Sequence, residues 1–139
     1  VGGLPDGIVD TDMLAANAVA TAKIADDAVT DAKENLSGAA KAWIKFNGNT
    51  TGAILGSYGI TSISNPDTGE YIITFSTAFA NANYVATACC SGIPANARAM
   101  GLVDGAQTTT TCRVNIFSTS AGGDKEDTEE NGMAFFGAQ

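Results

Sequence analysis

Lys41-Ala42-Trp43-Ile44-Lys45-Phe46-Asn47 decides the fold. Ala42, Ile44 and Phe46 alternate with Trp43, Lys45 and Asn47. A period of two fits a half-buried β-strand and does not fit the 3.6-residue period of a helix. The same grammar returns downstream. Tyr71, Ile73 and Phe75 alternate with Ile72, Thr74 and Ser76, and Cys112, Val114 and Ile116 alternate with Arg113, Asn115 and Phe117. Further strands are predicted over 52–58, 60–64, 84–91, 97–103 and 133–137. Turn signals separate them: Asn47-Gly48-Asn49, Asn65-Pro66-Asp67-Thr68-Gly69, Asp104-Gly105 and Ala121-Gly122-Gly123-Asp124. Short strands between frequent turns predict an antiparallel β-sandwich or barrel, and about 100 residues suffice for its core.

Upstream of this region the composition changes. The chain has 139 residues, and its one Trp, three Tyr and six Phe all lie at or after Trp43. Residues 1–38 are rich in Ala, Asp and Thr, and Ser37-Gly38 is the natural hinge before a second domain, 39–139. The first segment repeats in tens. Large aliphatics recur every fifth residue at Val9, Leu14, Val19, Ile24 and Val29. Five residues rotate about 140° on a helix, so these side chains would spiral around it. On a strand the same step changes face each time. A composite unit fits better: an extended piece around each Val, then one helical turn begun by Thr11, Thr21, Thr30 or Asp31 and ended near Asn17 or Asp27. Ordering each residue costs about 1–2 kcal/mol, against about 1.5–3 kcal/mol for each buried aliphatic. With two aliphatics per ten residues the unit does not fold alone. The repeat therefore predicts a fibrous, self-associating shaft with Val9, Leu14, Val19, Ile24 and Val29 as its core; the plainer alternative is an Ala-rich, partly helical linker.

Charge and missing residue types narrow the chemistry. The net charge of -8 and an acidic pI disfavour nucleic-acid binding, because such a surface repels phosphates. No stretch approaches the roughly 18 apolar residues of a spanning helix. The chain has no histidine, the commonest general base and transition-metal ligand. Three cysteines, Cys89, Cys90 and Cys112, cannot all pair, and adjacent Cys89 and Cys90 point to opposite faces of a strand. They read as reduced, small apolar fillers in a chain made in a reducing compartment. The start, Val1-Gly2-Gly3-Leu4-Pro5, resembles neither a signal peptide nor an initiator region, which suggests a piece of something longer.

Four features are candidates for function. The acidic run around Asp124, Glu126, Asp127, Glu129 and Glu130 reads as a solvated loop or as a receptor-facing one; it lacks the spacing and central glycine of a calcium loop. Asp67, Glu70 and Asp104 are isolated acids beside turns, where such residues are expected on conformational grounds, so they make a poor glycosidase pair. Trp43, Tyr58 and Tyr71 read as core or subunit contacts, with sugar stacking as the functional alternative. Lys23 and Lys33 are placed to pair with Asp26, Asp27 or Asp31 of a neighbouring chain. No catalytic residue, metal site or cofactor is expected.

Residues 39–84 resemble a head module common in phage tail-fibre proteins. The likeness is carried by Ala-Lys-Ala-Trp-Ile-Lys-Phe-Asn-Gly (40–48), Gly-Ser-Tyr-Gly-Ile-Thr-Ser-Ile-Ser (56–64), Thr-Gly-Glu-Tyr-Ile-Ile-Thr-Phe (68–75), Phe79 and Asn-Ala-Asn-Tyr (81–84). The decads, most clearly Val-Ala-Thr-Ala-Lys-Ile-Ala-Asp (19–26), separately resemble phage fibre shafts. From Val85 onward no likeness is found. The resemblance implies a homotrimeric virion protein, made in the host cytoplasm, attached to other tail proteins upstream and touching a glycan or outer-membrane protein of the bacterial surface. A structural connector without receptor contact is the rival reading, and a surface-glycan depolymerase the weaker one.

Overall fold

The alternating runs become strands at eight places. The structure, a computed structural model, describes residues 39–50, 52–91, 97–119 and 122–139. The strands are β1 Ala42–Asn47, β2 Ala53–Tyr58, β3 Ile60–Asp67, β4 Glu70–Phe75, β5 Val85–Cys90, β6 Arg98–Leu102, β7 Thr111–Ser118 and β8 Asn131–Phe136. They form two four-stranded sheets, ordered β2-β1-β8-β5 and β3-β4-β7-β6, and every pairing is antiparallel. The described protein is thus mainly β, with a single 3-10 turn at Gly48–Thr50. The five shaft aliphatics Val9, Leu14, Val19, Ile24 and Val29, with Lys23 and Lys33, lie outside the described residues.

The alternation sets which side chains meet between the sheets. Ala42, Ile44 and Phe46 of β1, Tyr71, Ile73 and Phe75 of β4, and Cys112, Val114 and Ile116 of β7 are all buried. Aromatic rings tie the sheets together: Phe46 meets Tyr71 with ring centroids 4.9 Å apart, and Phe75 meets Phe135 of β8, also at 4.9 Å. The β4–β5 connection crosses from one sheet to the other and is pinned by its own aromatics. Phe79 and Tyr84 both pack on Phe75, and the Phe79 N–H donates to the Thr109 carbonyl at 2.8 Å.

Turn chemistry closes the hairpins. The Asn47 side chain accepts from the Asn49 N–H at 2.9 Å, and Asp67 accepts from the Thr68 N–H at 2.8 Å. Gly69 follows with φ +64°; a Cβ there would press on the Ile116 carbonyl and the Glu126 amide, so this turn needs glycine on both counts. Strand β3 runs past its expected end at Ser64 to Asp67. Pro66 is tolerated because β3 is an edge strand whose register slips between Ser64 and Asp67.

Two expectations need correction. Of the reading as core or subunit contacts, the core half fails for Trp43 and Tyr58, which face each other across β1 and β2 and are 43% and 48% exposed, and holds for Tyr71, which is fully buried. Cys89 is also exposed, so only Cys90 and Cys112 serve as apolar filling.

Burial fixes the protonation of three groups. Burial pushes the Tyr84 hydroxyl up from 10.0 to about 12, with the Cys112 side chain beside it adding to the effect. Burial likewise raises the Cys112 thiol from 9.0 to about 12. The Tyr71 hydroxyl is raised further, by burial first and then by its bond to Asp127 and that carboxylate's charge. All three folded values lie above the unfolded ones, so the unfolded chain loses these protons first. For Tyr84 and Cys112 the contribution to stability is complete below about pH 9, erodes as pH rises, and is lost on passing about 12, while that of Tyr71 persists to higher pH. An alkaline titration should therefore show Tyr71 and Tyr84 ionising in a cooperative step that coincides with loss of the β-sheet circular dichroism. Smooth, fully reversible ionisation of all tyrosines with the sheet signal intact would contradict this.

Candidate functional site

The acidic segment 124–130 lies between β7 and β8. It does not run free in solvent. The Ser118 N–H donates to the Asp124 carbonyl at 2.9 Å, and the Glu126 N–H to the Ile116 carbonyl at 3.0 Å. At its centre Asp127 Oδ1 accepts from three donors: Tyr71 Oη at 2.5 Å, the Gly69 N–H at 2.7 Å and Asn65 Nδ2 at 3.2 Å. One carboxylate thereby ties the last residues of β3, the β3–β4 turn and the start of β4 to the β7–β8 segment. Bonds donated to a charged acceptor are the strong class, and here they are partly buried.

The neighbours of Asp127 extend the clamp. The Gly48 N–H donates to the Thr128 carbonyl at 2.8 Å, which holds the turn after β1 against the segment. A side chain at Gly48 would collide with the Tyr71 hydroxyl, so glycine is required there by close approach. The Thr128 hydroxyl donates to the Asn131 side chain, whose Nδ2 returns a bond to the Thr128 carbonyl at 2.8 Å. Glu126 pairs with the largely buried Arg98 of β6, and Lys125 pairs with Glu70 at 2.7 Å. Glu70 also holds Arg113 at 3.2 Å.

The five acids singled out in the sequence therefore separate into two groups. Asp127 and Glu126 are half-buried structural partners, while Asp124, Glu129 and Glu130 face solvent. Glu130 lies 3.7 Å from Lys45, an exposed pair of little energetic weight. Of the other acids considered, Glu70 is bound by two cations, Asp67 caps its own turn and Asp104 stands in the tight turn with Gly105. Asp67 and Glu70 stand opposite each other in the β3–β4 register, with Glu70 turned to its two cations. Among the described residues no group of three or more His, Cys, Asp or Glu side chains is gathered as a metal site. No described helix is long and apolar enough to cross a membrane.

Glu129 and Glu130 border a concave strip. One cleft of about 460 Å3 is lined by Asn49, Ser91, Arg98 and residues 127–130. A second of about 370 Å3, lined by Lys45, Cys89, Cys90 and residues 130–132 among others, shares Ser91 and Glu130 with the first. The strip offers amide, hydroxyl and carboxylate groups, with the Arg98 and Lys45 cations and the Cys89 and Cys90 thiols, at a surface hollow, and its polar groups suit hydrogen bonding to a hydroxyl-rich ligand. The chain matches no family model, no curated protein and no solved structure.

Sequence reading identified the acidic segment but not its clamp. The partners of Asp127 lie 56 to 62 positions away, and the one local hint was Tyr71, a phenol on a buried strand face that has to find an acceptor.

Proposed function

We propose that this chain is the distal part of a phage tail fibre, a homotrimeric, non-enzymatic protein of the virion that attaches to the bacterial surface. The observation that carries the reading is the pairing, in one chain, of a ten-residue shaft repeat with the Ala-Lys-Ala-Trp-Ile-Lys-Phe-Asn-Gly module (40–48), which opens a two-sheet domain. The repeat supports association, since it cannot fold without identical neighbours; the number three comes from the resemblance to fibre proteins. The hollow beside Glu129 and Glu130 is the surface assigned to the receptor, and a glycan hydroxyl is the chemistry it fits best. Affinity at each site is then multiplied by the copies held in one fibre.

Two measurements test the reading. Light scattering on the full chain should give an assembly of about three times 14.0 kDa; a monomer at micromolar concentration would end it. Fluorescently labelled protein should bind saturably to some strains in a bacterial panel and not to others. Binding to none of them would favour a connector within the tail, and clearing of surface polysaccharide would favour a depolymerase.

A further inference from the structure

We infer that the β6–β7 turn at Asp104-Gly105 is a site of spontaneous backbone isomerisation, whereas the fold locks two more labile pairs, Asn47-Gly48 and Asn131-Gly132. A further Asp-Gly pair, Asp6-Gly7, lies outside the described residues. An Asn or Asp followed by glycine readily closes on itself, because glycine carries no side chain to hinder its own nitrogen. That nitrogen loses its proton and attacks the side-chain Cγ. A C–N bond forms, ammonia leaves from Asn or water from Asp, and a five-membered succinimide results. Water then opens the ring at either carbonyl. One opening yields Asp; the other yields isoaspartate, whose main chain runs through the former side chain. Asn reacts faster as a rule, since an ionised carboxylate repels the nucleophile and a neutral amide does not. By residue type alone, Asn47 and Asn131 should react first.

The structure works against that order. Asn131 is 1% exposed, and both ends of its carboxamide are held: Nδ2 donates to the Thr128 carbonyl at 2.8 Å, and Oδ1 accepts from the Thr128 hydroxyl. Asn131 and Gly132 also pair with β1 on one side and β5 on the other, which keeps their backbone extended. Ring closure needs Cγ to swing onto the next nitrogen, and neither part is at liberty to move. In the other pair the Gly48 N–H, whose proton must leave, donates to the Thr128 carbonyl at 2.8 Å. Gly48 also packs so closely on the Tyr71 hydroxyl that even a Cβ would collide. Thr128, next to the clamped Asp127, thus locks both pairs.

Nothing comparable holds the β6–β7 turn. Asp104 and Gly105 are both exposed, and the bond that spans them runs from the Ala106 N–H to the Val103 carbonyl at 3.1 Å. Among the described residues the Gly105 N–H has no acceptor, and the Asp104 carboxylate has neither donor nor cation. Space is open as well, since a Cβ on Gly105 would meet nothing within 4 Å. The ring can form here without breaking a packed contact. Isoaspartate at 104 adds a methylene to an exposed turn. Deamidation at 47 or 131 would instead put a new carboxylate beside the clefts that Asn49, Thr128 and Asn131 line. The inference does not depend on what those clefts bind.

Ageing the full-length protein in neutral buffer, folded and in urea, and digesting each sample with trypsin tests this against unaged protein. Trypsin places Asn47 in peptide 46–98, Asp104 in 99–113 and Asn131 in 126–139. Isoaspartate in 99–113, read by isoaspartyl methyltransferase labelling and by altered elution at unchanged mass, should accumulate in the folded protein at close to its rate in urea. Deamidation at 47 and 131 should be at least about tenfold slower folded than in urea, because each must wait for local opening. Asp127→Ala, which loosens Thr128, should speed deamidation at 47 and 131 and leave the rate at Asp104 unchanged. Folding that slows Asp104 as much as the asparagines would overturn the inference. So would deamidation of Asn47 or Asn131 in the folded protein at its urea rate, or an Asp127→Ala variant in which both stay locked.

Discussion

Phe135→Ala should cost about 3–5 kcal/mol of folding stability. Phe135 is fully buried on β8, and its ring meets Phe75 at 4.9 Å and Tyr84 at 6.1 Å. These partners come from the opposite sheet and from the crossing connection. Truncation therefore opens a cavity where three elements meet, and a jammed β-sandwich interior relaxes poorly to fill it. Urea unfolding followed by circular dichroism measures the loss through the midpoint at constant slope. Phe117→Ala, at a 38% exposed position on the same kind of strand, should cost less than about 1 kcal/mol. Equal losses for the two would mean that the inter-sheet aromatic cluster is not the core of the domain.

Asp127→Ala should be the most damaging change among the acids, at about 3 kcal/mol. It removes the acceptor for Tyr71, Gly69 and Asn65 together, and bonds to a charged group contribute about 1.5–3 kcal/mol each before their mutual dependence reduces the sum. The Tyr71 hydroxyl, on a buried residue, would be left without its acceptor. Asp127→Asn keeps an accepting oxygen and should lose less. It should also move ionisation of Tyr71 to lower pH, because part of the upward push on that phenol is the Asp127 charge. Glu129→Ala and Asp124→Ala, both at exposed positions, should stay within about 0.5 kcal/mol of the parent. A thermal melt of Asp127→Ala indistinguishable from that of Glu129→Ala would refute the clamp.

Position-by-position alternation made the strands legible. All eight were expected, with boundaries shifted by a residue or two except at β3. There Pro66 read as a stop, and only the knowledge that β3 is an edge strand makes a proline admissible. Pairing was less legible, since nothing local says that β1 takes β8 as its second neighbour. Trp43 illustrates the same limit. Its alternation put it opposite Ile44, on the outer face, yet the residue type argued for burial; the face prevailed within the single chain. In the acidic run, charge alone could not distinguish Asp127 from Glu129. What separates them is a turn and a tyrosine brought in by the β3–β4 hairpin, and that is information about tertiary structure.

The position of β8 bears on how the chain comes to be folded at all. Phe135 stands opposite Ala42, and β8 fills the gap between β1 and β5, so a sheet begun by the first strand of the domain is completed only by the last. During vectorial synthesis the ribosome must finish nearly the whole domain before β1 finds this partner, and such non-local pairing is slow. Until then Ile44 and Phe46 have half a sheet to rest on. Strand β8 thus acts as a gate on closure of the fold: a polypeptide cut short before Asn131 cannot close its sandwich and presents apolar strand to the proteases and chaperones that clear unfinished chains.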